Sequence, residues 1–376
     1  GSPLVNEETR RRIQAAADQL NYDLFRWRLE IELDGFRFGE HLLPVNQRGG
    51  IQPEDELGDA LRFQTVKDYE DWIARLNSFG TMMDQTIALM REGMKRAAKL
   101  GLLVAVHAED DALAARLTGE LKAAGRTDAK AWLDSRPIEV ELNAIRTALE
   151  LAGETGCALH VVHVSSPEGI ALITEARMQR VDVTAETCPH YLLLNDKDVA
   201  RLGPLAKCAP PLRDEKRRKA LWADLRAGDI QTVGSDHSPA RPEMKDSANM
   251  FAVWGGIAGV QHGFELLFSA CERTAEKDLP VLAAVLARNV ARRFQLEHRK
   301  GQLAPGRDAD FSLIEFGKAR TIAADDLWTR HRISAYVGER SRARVTHTYV
   351  RGCAVYADGR LTNLPQPGEF LRPHAL

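Results

Sequence analysis

Two imidazoles three residues apart, His160 and His163, interrupt the apolar run LHVVHVSS. Valine would pack better at either position, so each histidine needs a reason. In a strand, side chains alternate between faces, which sends these two imidazoles to opposite sides of their sheet. His163 is nearer the C-terminal end of the run and is the better ligand candidate. His160 reads as a hydrogen-bonded core histidine. Taken alone, His163 reads equally as a buried structural imidazole, so the case rests on a set of residues. His107 closes an earlier apolar run in VAVHAED, and Asp236 with His237 closes a later one in TVGSDHSP. Two imidazoles and a carboxylate at successive strand ends suit Zn2+ or a similar divalent ion. An aspartate in that position can also take the proton of metal-activated water.

The elements that must position these residues alternate from about residue 85. DQTIALMREGMKRAAKLG has helical periodicity and LLVAVHA is a short continuous apolar run, the mark of a strand covered on both faces. EDDALAARLTGELKAAG and IEVELNAIRTALELAGETG are helical, CALHVVHVSS is a strand, and PEGIALITEARMQR is a helix opened by Pro167. VDVTAET, DEKRRKALWADLRAG and IQTVGSD continue the alternation as strand, helix and strand. This pitch predicts a parallel α/β fold, with His107, His163, Glu186 and Asp236 recurring where strands end. In a β/α barrel those ends form the catalytic face. DADFSLI, LIEF and THTYVRGCAVYADGRL predict a small β-rich appendage of short strands with glycine turns. The first 80 residues alternate less clearly: RRRIQAAADQL reads as a helix, LFRWRLEIEL as strand-like and PVNQRGGIQPEDELGD as a loop.

Composition narrows the classes. A net charge of −2 provides no basic field for nucleic acid, and no apolar run is long enough to span a membrane. The N-terminal residues lack the apolar core of a secretion signal, and the leading Gly-Ser reads as a tag remnant. Five cysteines without CxxC spacing argue against a disulfide framework and for a reducing, cytoplasmic setting. Cys157 and Cys188 lie beside strands and read as small core residues.

Nine blocks, in order, resemble the cyclic amidohydrolases: dihydroorotases, hydantoinases and, most closely, allantoinases. They are EGMKRAAKLGLLVAVHAE, SRPIEVELNAI, LHVVHVSSPEG, VTAETCPHYL, KCAPPLRDE, VGSDHSP, PEMK, WGGIAGVQ and KGQLAPGRDADFSLI. The resemblance covers about residues 77–376. It implies a (β/α)8 TIM-type barrel over 77–300, a β-sandwich with the C-terminal tail over 301–376, and an atypical segment over 1–76. It implies that His107 and His163 match the histidines that hold the second metal of the family's pair, and that Asp236 matches the aspartate that ligates the first and serves as general base. Pro210, Gly255 and Gly256 then lie by the substrate ring, and His190 in CPHY sits near the mouth, as a substrate contact or a structural hydrogen bond. The implied reaction is attack of metal-bound hydroxide on a ring amide of a small cyclic ureide, allantoin foremost, in a protein expected to be a homo-oligomer.

The departures carry expectations of their own. Family members have a His-x-His on the first barrel strand and a carbamylated lysine on the fourth. Before His107 the chain has only His41 and no His-x-His; Lys67 is at a plausible distance for the lysine but in a charged helical context. The first half of the barrel is therefore expected to be distorted or incomplete, with at most one Zn2+ or other divalent ion per chain. A non-catalytic homologue, with the barrel kept as a binding or assembly module, is the alternative. VNEETRRRIQAAADQLNYD resembles the helix after the recognition helix of LacI-type repressors. Without the DNA-reading helix it reads as a chance or fused helix, which leaves a ligand-sensing regulator as a third reading.

Overall fold

The computed structural model describes residues 45–46, 49–50, 67, 87–362, 369 and 371–373. The chain divides into two compact units, Gly1–Arg96 and Ala97–Leu376. In the first, Val45–Asn46 pairs antiparallel with Gly49–Gly50. Lys67 is helical and exposed, and residues 87–96 are helical. His41, the repressor-like helix and most of the expected early barrel lie outside the described residues.

The second unit contains one parallel sheet of four strands in chain order: β1 (Leu103–Val106), β2 (Ala158–Val161), β3 (Val183–Thr187) and β4 (Thr232–Val233). Val106 pairs with Val161, Val161 with Ala185, and Thr187 with Val233. The strand ends thus line up along one edge. Helices α1 (Asp111–Ala123), α2 (Ala129–Asp134) and α3 (Ile138–Thr155) connect β1 to β2. Helix α4 (Pro167–Met178) connects β2 to β3, and α5 (Pro189–Leu193), α6 (Asp196–Leu202) and α7 (Glu215–Ala227) lead to β4. Such repetition is the expected β/α architecture, because a parallel strand can be reached only by a crossover.

Local chemistry sets the boundaries. Asp110, Ser166 and Asp214 each accept a hydrogen bond from the backbone N–H three residues on, capping α1, α4 and α7. Helix α3 ends where Gly156 turns left-handed at φ 67°. Leu159, Val161, Val183 and Ala185 are buried, as expected for strands covered on both sides.

After α8 (His262–Ala270), α9 (Ala275–Ala283) and α10 (Asn289–Arg293) comes an antiparallel sheet. Its strands are β5 (Phe311–Thr321), β6 (Arg340–Val350), β7 (Cys353–Ala357) and β8 (Arg360–Leu361), paired in sequence order. The two-residue turns Arg351-Gly352 and Asp358-Gly359 have positive φ at both positions, which matches the twist of the flanking strands. The appendage is thus β-rich, but β5 and β6 are 11 residues each rather than short. Of the β-sandwich expected over 301–376, the described residues show this one sheet. No helix among the described residues is long and apolar enough to cross a membrane.

Candidate metal centre at the strand ends

His107 directly follows β1, His163 lies two residues past β2, Cys188 directly follows β3, and Asp236 lies three residues past β4. All four leave the sheet at its C-terminal edge. The alternation argument for His160 and His163 needs correction here. Strand β2 stops at Val161, and His163 adopts φ 42° in a left-handed turn that the Val164 N–H to Glu186 carbonyl bond (2.7 Å) pins to β3. Asp236 is likewise left-handed at φ 41°. This conformation costs a non-glycine residue about 1–2 kcal/mol. Both residues leave the sheet at the same edge.

His160 is the core histidine expected. It is buried, its Nδ1 lies 2.7 Å from Thr184 Oγ1, and its Nε2 lies 3.5 Å from Glu186 Oε2. His163 is also buried, but its Nε2 lies 2.9 Å from His107 Nδ1. Burial, and then the neighbouring His107, push the His163 pKa down to about 3, so the ring is neutral as a metal ligand must be. Its Nδ1 is buried with no hydrogen-bond partner among the described residues. On its other side, His107 Nε2 lies 3.3 Å from Glu109 Oε2. Burial works to raise the Glu109 carboxyl, but its hydrogen bond to His107 and the charge of Arg136 hold it below its ordinary value. A carboxylate behind a ligating imidazole is the usual device that fixes ring orientation. With both nitrogens near partners, His107 would exchange one of them on binding an ion. Glu109 was missed in the sequence, though it stands two residues after His107 in VAVHAED.

Asp236 belongs to a second group. One donor atom each from Cys188, His190 and Asp236 lie within 4.8 Å of one another. Burial raises the Asp236 carboxyl above its usual range; His107 opposes that rise and Glu186 adds to it. Asp236 therefore lies within electrostatic reach of His107 and also groups with Cys188 and His190. His190 is fully buried, and burial, with His163 adding, pushes its pKa down to about 3. Neither of its ring nitrogens has a hydrogen-bond partner among the described residues. Each unsatisfied buried polar atom costs about 1–3 kcal/mol. The donor set of neutral imidazoles, a carboxylate and a thiol suits a divalent ion, Zn2+ in particular. His237 plays another part: its Nδ1 accepts the Val260 N–H at 3.3 Å and ties down a loop.

The remaining expected residues form the surrounding loops. The Pro210 carbonyl accepts the Tyr191 hydroxyl at 2.6 Å, beside His190. The Gly256 N–H donates to the Lys207 carbonyl at 2.8 Å, and the Gly256 carbonyl accepts from Lys245 Nζ at 2.9 Å. Gly256 has φ 151°, and a Cβ there would stand 2.3 Å from Ser238 Oγ, so only glycine fits. Gly255 packs beside the Lys207 stem. Lys207 Nζ donates to the Val253 carbonyl at 2.6 Å and lies 4.2 Å from the Trp132 ring centre, with Arg136 also over that ring. Burial, with the charge of Arg136 adding to it, pushes the Lys207 pKa down to about 7. Lys207 and Lys245 were not singled out in the sequence; a lysine inside the otherwise apolar KCAPP was the available signal.

Two cavities lie elsewhere. One, of about 880 Å³, lies between α8 and the antiparallel sheet, and another, of about 640 Å³, lies at the N-terminal ends of the parallel strands. Neither is lined by the donor residues, and the chemistry favours the strand-end cluster.

Comparison with known proteins gives the chain's family. Residues 50–355 match the amidohydrolase family, a match that begins ahead of residue 77. An allantoinase of Deinococcus radiodurans is 46% identical over 351 residues, 91% of this chain and 76% of that protein. One from Solibacter usitatus is 44% identical over 284 residues, 76% of this chain and 62% of that protein. Among solved structures, an L-hydantoinase (dihydropyrimidinase) from Arthrobacter aurescens superposes with a TM-score of 0.72 at 31% identity. That superposition covers 74% of this chain and 62% of the hydantoinase. The chain thus spans less than two thirds of several relatives that it matches.

Proposed function

This chain belongs to the amidohydrolase family, whose fold is a β/α barrel, and we propose that it hydrolyses a cyclic ureide, allantoin foremost, with a divalent metal ion. His107, His163 and Asp236 would hold the ion. The observation that carries this reading is the 2.9 Å approach of His107 and His163 at the strand ends, with Asp236 in reach and buried nitrogens left without partners. The allantoinases among its relatives direct the choice of ring.

Bound there, the ion supplies Lewis acidity that activates water and polarises the ring carbonyl. The residues do the rest. Asp236, its proton affinity raised by burial, accepts the proton of the attacking water and returns it to the leaving ring nitrogen. Glu109 holds the His107 ring in orientation. The loops carrying Pro210, Gly255 and Gly256, braced by Lys207 and Lys245, position the ring and exclude bulk water. With neither a His-x-His nor a convincing bridging lysine before His107 in this sequence, the set of His107, His163 and Asp236 by itself is expected to hold one ion, weakly enough for mild chelation to strip.

The test is metal content of protein purified without chelator, assayed in parallel on allantoin, hydantoin and dihydroorotate. The reading expects bound metal and turnover, highest on allantoin. Metal-free protein with no turnover on any ring after zinc is added would favour the non-catalytic homologue.

A further inference from the structure

The His107–His163 pair with Asp236 offers few anionic ligands. Two divalent ions close together repel strongly and need several anions to offset that repulsion. The His107–His163 pair and Asp236 supply one carboxylate. The structure adds a donor that the sequence reading assigned to the core: the Cys188 thiol, buried, at the end of β3, next to His190 and Asp236.

We propose that Cys188, His190 and Asp236 form a site for a thiophilic divalent cation, adjoining the His107–His163 pair and sharing Asp236 with it. Three independent observations converge. Donor atoms of a thiol, an imidazole and a carboxylate lie within 4.8 Å of one another. His190 is fully buried with both ring nitrogens unpartnered among the described residues, and a cation satisfies one of them where no side chain does. Asp236 holds a left-handed backbone at φ 41° just past the end of β4. Thiolate, imidazole and carboxylate form a donor set of the kind zinc accepts, and Cys188 loses its proton to solvent as the ion binds, because the thiolate is the ligand. The thiolate also supplies the second anion that the first site lacks. This inference rests on the reading of Asp236 as a metal ligand.

Cobalt reports a thiolate ligand directly, whether or not the protein turns over. The full-length protein, stripped with chelator and titrated with Co2+ under reducing conditions, is expected to develop a near-ultraviolet thiolate-to-cobalt charge-transfer band. It is also expected to bind a second equivalent of ion. Cys188→Ser should lose the band and the second equivalent. Cys208→Ser, at another buried cysteine, should keep both. His190→Ala leaves the thiol in place and guards against a misfolded Cys188 variant; it should weaken the second equivalent by roughly 10²-fold. His163→Ala should keep the band. Cobalt bound without a charge-transfer band, or a band unchanged in Cys188→Ser, would overturn this site and leave the His107–His163 reading standing. Failure to bind any divalent ion would overturn both.

Discussion

Two clusters of buried polar groups follow β2 within four residues of each other, and they are built in opposite ways. Ser165 and Ser166 close onto Glu141 of α3. Its carboxylate accepts from the Ser165 N–H at 2.7 Å, the Ser165 hydroxyl at 2.8 Å and the Ser166 hydroxyl at 2.6 Å. Arg213 lies 3.6 Å from the same carboxylate and donates to Ser165 Oγ at 2.9 Å. Two residues earlier, His163 has a buried nitrogen without a partner among the described residues, and across the strand ends His190 has two. An unmet buried donor or acceptor is costly; single unmet atoms also occur in the fold, as at Arg213 Nη2 and His160 Nε2, whereas His190 has both ring nitrogens unmet among the described residues. On the reading proposed above, the groups left unmet at the mouth of the parallel sheet are kept for a divalent ion.

Substitutions can break that contrast. The largest effect belongs to Asp236→Asn. The amide cannot take the proton and is a poorer ligand, so turnover on allantoin should fall by roughly 10²–10⁴-fold. Asparagine tolerates the left-handed backbone, so unfolding midpoints should barely move. Glu141→Ala should do the reverse. It leaves Arg213 and two buried hydroxyls without their acceptor and should cost about 3–5 kcal/mol in denaturant unfolding. Zinc affinity of the remaining folded fraction should be nearly unchanged.

Two further changes sharpen the contrast at the loops. Gly256→Ala places a Cβ against Ser238 Oγ on a backbone that alanine resists, which should cost about 1–3 kcal/mol and raise KM more than it lowers kcat. Lys207 gives the smallest effect, a slope. Burial lowers its folded pKa to about 7 against 10.5 for the free side chain. Between pH 7 and 10.5 the unfolded chain binds a proton that the folded chain does not, so this term makes stability rise with pH across that window. Lys207→Met should remove that component, by at most one proton, from the difference between pH 7 and 10 unfolding curves.

Much of the frame was legible in the sequence, and for physical reasons. Continuous apolar runs, helix caps such as Asp110 and Ser166, and the Gly156 stop each act locally, so residue type reveals them. The placement of His107, His163 and Asp236 at strand ends followed from counting along those runs. What failed to show depended on where the backbone stops being regular. His163 was assigned a face by strand alternation, but the strand ends before it, and a positive φ sets its direction instead. Cys188 looked like a core residue because buried cysteines usually are; its neighbours His190 and Asp236 come from other positions in the chain and are brought to it only by folding. The pairing of Glu109 with His107, and the bracing of Gly256 by Lys207 and Lys245, are likewise products of the loops' tertiary paths.

The central claim is that the unmet polar groups at the strand ends wait for a divalent ion. Its most direct test is the unfolding temperature of chelator-stripped protein as Zn2+ is added. An ion that binds only the folded chain stabilises it by about 2.7 kcal/mol at a hundredfold excess over Kd. The transition should therefore climb with zinc in the parent and in Glu141→Ala, which starts lower, and stay nearly flat in Asp236→Asn. A parent protein whose transition ignores zinc, or an Asp236→Asn variant that climbs as steeply as the parent, would contradict the account.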